Sequence, residues 1–111
     1  GNDAIRMESI NVKIVFFAPE ANADAVRKAM GNAGAGRIGN YSHCSFSSKG
    51  IGRFLPLDGA HPTIGVIGTS EEVSEERIEM ICTKEKLQAV IEAMKSVHPY
   101  EEVAYDVYPL L

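Results

Sequence analysis

The period of the hydrophobic positions changes along the chain, and each change marks an element. Residues 10–17 form a run rich in β-branched and aromatic side chains, predicting a buried strand that Ala18 and Pro19 stop. From Asn22 the apolar residues Ala23, Val26, Ala29, Met30 and Ala33 recur at three- and four-residue steps. That spacing is one face of a helix, which Gly31 and Gly34 bring to its end. Residues 40–46 alternate and predict a strand, with Tyr41, His43 and Ser45 on one side and Ser42, Cys44 and Phe46 on the other. Residues 50–56, a turn at Asp58-Gly59 and residues 63–67 predict an extra hairpin or two short strands. Residues 78–82 predict a strand and residues 84–97 a helix, with Leu87, Val90, Ile91, Met94 and Val97 buried and Thr83 as N-cap. Residues 103–108 predict the last strand, with Val103, Tyr105 and Val107 on one face.

A shift of 64 residues superposes Ile14 on Ile78, Ala25 on Ala89, Val26 on Val90, Ala29 on Ala93 and Met30 on Met94. The chain therefore reads as two units of one plan, each a strand, a helix and a second strand. Packed side by side, they predict a four-stranded sheet with two helices on one face. The expected class is α+β, a ferredoxin-like βαββαβ sandwich with an extra hairpin insertion. The strands that follow the two helices are expected to begin at the same end of the sheet, on opposite edges. A chain of 111 residues has room for one core. That domain is placed at residues 10–111, with residues 1–9 an N-terminal tail containing Met7 as a candidate start residue.

Charge narrows the function classes. Eleven Lys and Arg against fifteen Asp and Glu leave a net charge of −4, which repels phosphate backbones and argues against nucleic acid as a partner. No apolar stretch approaches the roughly 20 residues that cross a bilayer, and the N-terminus lacks the order of a signal peptide. Cys44 and Cys82 lack CxxC spacing, so free thiols and a cytoplasmic location are expected. The charge is also uneven. Residues 25–57 carry five basic side chains and no acidic one, and residues 58–111 carry eleven acids against four bases. Nine of the ten glycines lie between Gly31 and Gly68, so exposed amides and arginines there offer a seat for a small anion. The same asymmetry suits self-association, the basic loop of one subunit meeting the acidic half of the next.

Several motifs carry candidate chemistry. Gly34-Ala35-Gly36-Arg37-Ile38-Gly39 matches G-x-G-x-x-G, but a helix precedes it, which makes it a helix-to-strand turn and not a dinucleotide site. On a strand His43 would point away from Ser42 and Cys44, so no local nucleophile–base pair is expected, and Cys44 is read as a buried structural thiol. The acids Glu71, Glu72, Glu75, Glu76 and Glu79 read as a solvated turn and strand edge. The histidines, cysteines, Glu101 and Glu102 are metal-ligand types, but none shows the close spacing of a structural zinc site. In His98-Pro99-Tyr100-Glu101-Glu102, Pro99 ends a helix while an imidazole, an aromatic ring and two carboxylates gather at the sheet's end.

Four phrases in order carry a resemblance to a known family: Gly36-Arg37-Ile38-Gly39-Asn40-Tyr41-Ser42-His43-Cys44-Ser45-Phe46, Gly50-Ile51-Gly52-Arg53-Phe54-Leu55-Pro56, Glu76-Arg77-Ile78-Glu79 and His98-Pro99-Tyr100-Glu101-Glu102. Over residues 10–110 the chain resembles the YqfO family, the NGG-interacting-factor-three-like proteins, in the domain inserted into their longer members. Those members carry a dinuclear metal core, sometimes labelled a GTP cyclohydrolase, to which no segment here corresponds. The inserted domain resembles CutA and PII signalling proteins, and CutA-type chains share the phrase matched by His98-Pro99-Tyr100-Glu101. The resemblance implies a homotrimer and the binding of a divalent metal or small anion.

The reading that follows is a non-catalytic oligomeric binding or regulatory module. The alternative is a metal-dependent hydrolase acting on a nucleotide or other phosphate, and a third is an accessory subunit of a separate metal-core protein. The expected ligand site is a cleft where Arg37, Asn40, Tyr41, His43 and Cys44 approach His98, Tyr100, Glu101 and Glu102 near a subunit boundary. The metal ligands expected there are His98 and Glu101, with His98 a pH-sensitive ligand or donor. Trimer packing or the insertion at Gly50 is what would bring the two groups together.

Overall fold

The computed structural model describes residues 10–111. The tail expected over residues 1–9 lies outside the described residues. The elements are β1 (Asn11–Pro19), α1 (Glu20–Asn32), β2 (Phe46–Phe54), β3 (Glu71–Thr83), a single 3-10 turn (Lys84–Lys86), α2 (Leu87–Val97) and β4 (Tyr105–Pro109). They form one antiparallel sheet in the order β2-β3-β1-β4, with both helices on one face. This is the ferredoxin-like α+β plan.

Alternation along the central strands builds the core. Val12, Ile14, Phe16 and Ala18 of β1 point to the helices and pair across to Cys82, Met80, Ile78 and Glu76 of β3. Ala23, Val26 and Met30 of α1 and Val90 and Met94 of α2 close over them. Each fully buried aliphatic side chain contributes about 1.5–3 kcal/mol relative to exposure. The superposed pairs Ile14 and Ile78, Val26 and Val90, and Met30 and Met94 are all 0% exposed, so the repeat in the sequence is a repeat in the core.

The structure corrects four expectations. No strand runs over residues 40–46. Gly36, Gly39 and His43 have φ of 80°, 57° and 59°, which a strand does not accept, and the chain between α1 and β2 is a loop with one bridge between Ile38 and Tyr41. Gly36 pins this loop by donating its N–H to Ile81 O at 2.6 Å and accepting from Cys44 N–H at 2.8 Å.

The extra hairpin is not a separate element. Residues 63–67 form no strand, and β2 and β3 themselves lengthen into the hairpin, with β3 starting at Glu71 rather than near residue 78. Basic and acidic residues face each other across it, Lys49 opposite Glu76 and Arg53 opposite Glu72, which offsets the repulsion within the acidic run. The last β1–β3 pair is Pro19 with Glu75, so residues 71–74 of β3 and 51–54 of β2 project beyond β1 as a two-stranded arm. Arg27 of α1 braces the arm's base, donating to Glu76 at 2.5 Å and to Ser47 at 3.1 Å while paired with Asp24.

Thr83 does not cap α2. Its side chain makes no cap bond, and among the described residues its buried hydroxyl has no hydrogen-bond partner; the first turn is 3-10 instead. Finally, β2 and β4 do not start from one end of the sheet: Phe46, level with Val15 through Glu79, and Tyr105, opposite Phe16, both start beside the middle of β1 and run in opposite directions. β1 and β3 are antiparallel, so the two units are related by a half-turn, and α1 and α2 deliver the chain to opposite ends.

Candidate ligand-binding cleft

Beyond the end of β1 the arm faces the 98–102 turn, and a cleft of about 590 Å³ opens between them. Phe17, Gly52 and Glu75 form its floor and Phe54 and Tyr100 its walls, with the 55–64 loop completing the enclosure. That loop is fastened to the turn at two points. Thr63 Oγ1 donates to Pro99 O at 2.6 Å, and Glu101 Oε1 accepts from the His61 N–H at 2.8 Å.

Pro99 explains the geometry of His98. Preceding a proline, His98 leaves the helix in an extended conformation with ψ 136°, and its side chain turns in under the sheet's end. It is 7% exposed. Nδ1 accepts from the Tyr100 N–H at 3.1 Å, which assigns the ring proton to Nε2, the donor to Phe17 O at 2.6 Å. Both ring nitrogens are thus engaged by backbone. A metal ion at His98 would have to displace one of those bonds.

Tyr100 and Glu75 are the polar centre of the cleft. The Tyr100 hydroxyl donates to Glu75 Oε2 at 2.9 Å, and its ring meets Phe54 edge-on at 6.0 Å and 61°. Burial first, and then the hydrogen bond and charge of Glu75, hold the Tyr100 hydroxyl well above its ordinary pKa. Glu75 is only 8% exposed, although it belongs to the run expected to be solvated. It reaches this position because position 52 is glycine; a Cβ there would overlap the Glu75 carboxylate. Among the described residues Glu75 Oε1 receives no hydrogen bond. Glu102 is exposed and lines the cleft.

The other expected site residues lie elsewhere. Arg37, Asn40, Tyr41, His43 and Cys44 sit on the loop pinned to Ile81, which pairs with Lys13, whereas the 98–102 turn is pinned to Phe17. Four residues of strand separate those levels, about 14 Å at 3.4 Å per residue. The two groups therefore do not meet within one chain. The arm at Gly52 meets the 98–102 turn but not the loop.

On that loop Arg37 Nε donates to Gly39 O at 2.7 Å, and Tyr41 is exposed. His43 does reach Ser42, contrary to the strand reading, because its left-handed backbone turns the ring back over Gly31. His43 Nε2 lies 2.9 Å from Asn32 Oδ1 and Nδ1 2.9 Å from Ser42 Oγ, all in an exposed setting. Cys44 is half-buried rather than a core thiol; Cys82, 3% exposed, fills that role. Among the described residues no three His, Cys, Asp or Glu side chains converge as a metal-binding group.

Glu75, Gly52, Phe54 and Phe17 were missed as site residues from sequence. The one local signal was Gly50-Ile51-Gly52, since paired glycines in a strand mark a close approach.

No family model matches the chain. A Bacillus subtilis protein named GTP cyclohydrolase 1 type 2 homolog is 56% identical over 98 residues, which cover 88% of this chain and 26% of that protein. A Mycobacterium tuberculosis protein of the same name is 48% identical over 99 residues, 89% of this chain and 26% of its own. The chain spans about a quarter of the length of the curated relatives it matches. Among solved structures, a Bacillus cereus protein related to NIF3 superposes with a TM-score of 0.80 at 52% identity, over 93% of this chain and 26% of that one. CutA from Archaeoglobus fulgidus, described as a periplasmic divalent cation tolerance protein, shares the fold at TM-score 0.66 and 18% identity, over 90% of this chain and 83% of its own. Bacillus subtilis GlnK does so at 0.60 and 21%, over 90% and 84%. Sequence and fold together match the chain to a segment spanning about a quarter of its NIF3/YqfO relatives, with the fold that CutA and GlnK share.

Proposed function

We propose that this domain is a non-catalytic, oligomeric binding or regulatory module that takes a small ligand in the cleft between the β2–β3 arm and the 98–102 turn. The observation that carries the reading is a concave, largely apolar cleft with one polar pair, the half-buried Tyr100 and the buried Glu75, at its centre. Ligand sites are built this way, with apolar walls for affinity and a few placed polar groups for orientation. Glu75, Glu101 and Glu102 favour a cation over a small anion. A divalent metal is one such cation, held through Glu101 and its neighbouring carboxylates, with His98 joining only after releasing a backbone bond. Arg37, Asn40, Tyr41, His43 and Cys44 contribute only across a subunit boundary, the setting in which a homotrimer would place them. Two free thiols suit a cytoplasmic location, and among the described residues no helix is long and apolar enough to cross a membrane.

The test is an NMR titration with magnesium, inorganic phosphate, a nucleoside triphosphate and a set of small organic fragments. At least one is expected to move the Gly52, Glu75 and Tyr100 amide resonances saturably at millimolar concentration, with no turnover. A panel that leaves them unmoved overturns the cleft as a ligand site. Turnover of the nucleotide overturns the non-catalytic reading.

A further inference from the structure

We infer that the cleft selects a small organic monocation, an ammonium or guanidinium group carried on an apolar body; this rests on the cleft being the ligand site proposed above. The first support is the walls. Phe54 and Tyr100, 6.0 Å apart at 61°, form the adjoining sides of a corner, with Phe17 at its base. A cation within about 6 Å of such rings is drawn to their negative faces, more strongly as water is excluded. The chain already displays this attraction, since the Arg77 guanidinium lies 6.0 Å over the Phe17 ring.

The second support is charge. Glu75 is more than nine-tenths buried, and its Oε1 has no hydrogen-bond partner among the described residues while Oε2 is held by Tyr100. That oxygen opens to the cleft, where an incoming N–H donor would replace solvent and balance its charge. Glu102 adds a second carboxylate at the rim, and Arg53, which also lines the cleft, is engaged by Glu72 at 3.3 Å.

The balance between an organic cation and a metal ion follows from hydration. A divalent ion keeps its water unless several oxygen ligands converge on it. Here one buried carboxylate stands beside aromatic rings, and the nearest imidazole is engaged on both nitrogens. A weakly hydrated guanidinium or alkylammonium gains from the rings and the carboxylate together.

The experiment is an NMR titration with benzamidine, its neutral counterpart benzamide, benzoate and magnesium. Benzamidine is expected to move the Gly52, Glu75 and Tyr100 amides saturably, with benzamide binding about tenfold more weakly for want of one charge-assisted bond. Glu75→Gln keeps an acceptor for Tyr100 but removes the charge, and is expected to weaken benzamidine about tenfold while leaving benzamide unchanged. Should that variant fold poorly, the exposed Glu102→Gln supplies the test, with a smaller loss confined to benzamidine. Equal binding of benzamidine and benzamide, preference for benzoate, or shifts with magnesium alone would overturn the cation inference and leave the cleft as the ligand site. No response to any of the four, or to the fragment panel above, would overturn both.

Discussion

The hydrogen bond from Tyr100 to Glu75 joins the two halves of the cleft through one pair of side chains. Removing it with Tyr100→Phe leaves a buried carboxylate short of its donor, a loss of about 1–3 kcal/mol by chemical denaturation at neutral pH. The same group sets a pH dependence. Burial and Glu75 raise the Tyr100 pKa in the folded state above its ordinary 10.0, so the folded chain holds that proton more tightly. Its contribution is fully present below pH 10.0 and is lost as the pH climbs above it. Burial likewise raises Cys82 from 9.0, adding a loss of the same sign from that pH upward. Stability is therefore expected to fall in alkali, and Tyr100→Phe is expected to flatten the part of the fall above pH 10.0. Parallel curves for the two proteins would show that Tyr100 does not hold its proton against Glu75.

At the scale of elements, the sheet has two sealed strands and two edges. β1 and β3 each pair on both sides, whereas β2 pairs only with β3. Its middle carries Gly50 and Gly52, which add little side-chain packing of their own. Hydrogen exchange should reflect this order. Amides of Ile14, Phe16, Ile78 and Met80 are expected to exchange slowest, and the outward-facing amides of β2 fast. Uniform protection along β2 at high protein concentration, lost on dilution, would instead mean that another chain covers that edge. The same geometry explains why the acidic run is a strand. Seen alone, five glutamates within nine residues argue for solvent; opposite Lys49 and Arg53, and braced by Arg27, they form one side of a ladder.

The molecule as a whole carries its apolar excess outside the core. Phe46, Ile51, Leu57 and Tyr108 are 71%, 54%, 70% and 48% exposed, and Phe46 and Tyr108 stand on the sheet face away from the helices. An open face with an unpaired, glycine-rich edge is a surface that natural sheets cover. Light scattering is expected to return about three times the 12.0 kDa chain mass at micromolar concentration. A mass of one chain there would remove the trimer from the proposal.

The core was legible in the sequence because burial there is periodic. Ile14, Phe16, Val26, Met30, Ile78, Val90 and Met94 were all assigned to strands or helices, and all are buried. The 98–102 turn was also legible, since Pro99 constrains its neighbours through local sterics alone. What only the tertiary structure determined is the register of β2 against β3 and the antiparallel sense of the two units. Strand pairing joins residues far apart in the chain, and a strand's local pattern does not name its partner. That pairing separates Arg37, Asn40, Tyr41, His43 and Cys44 from the 98–102 turn. It brings Gly52 over Glu75, turning one member of a charge run into the buried carboxylate of a cleft.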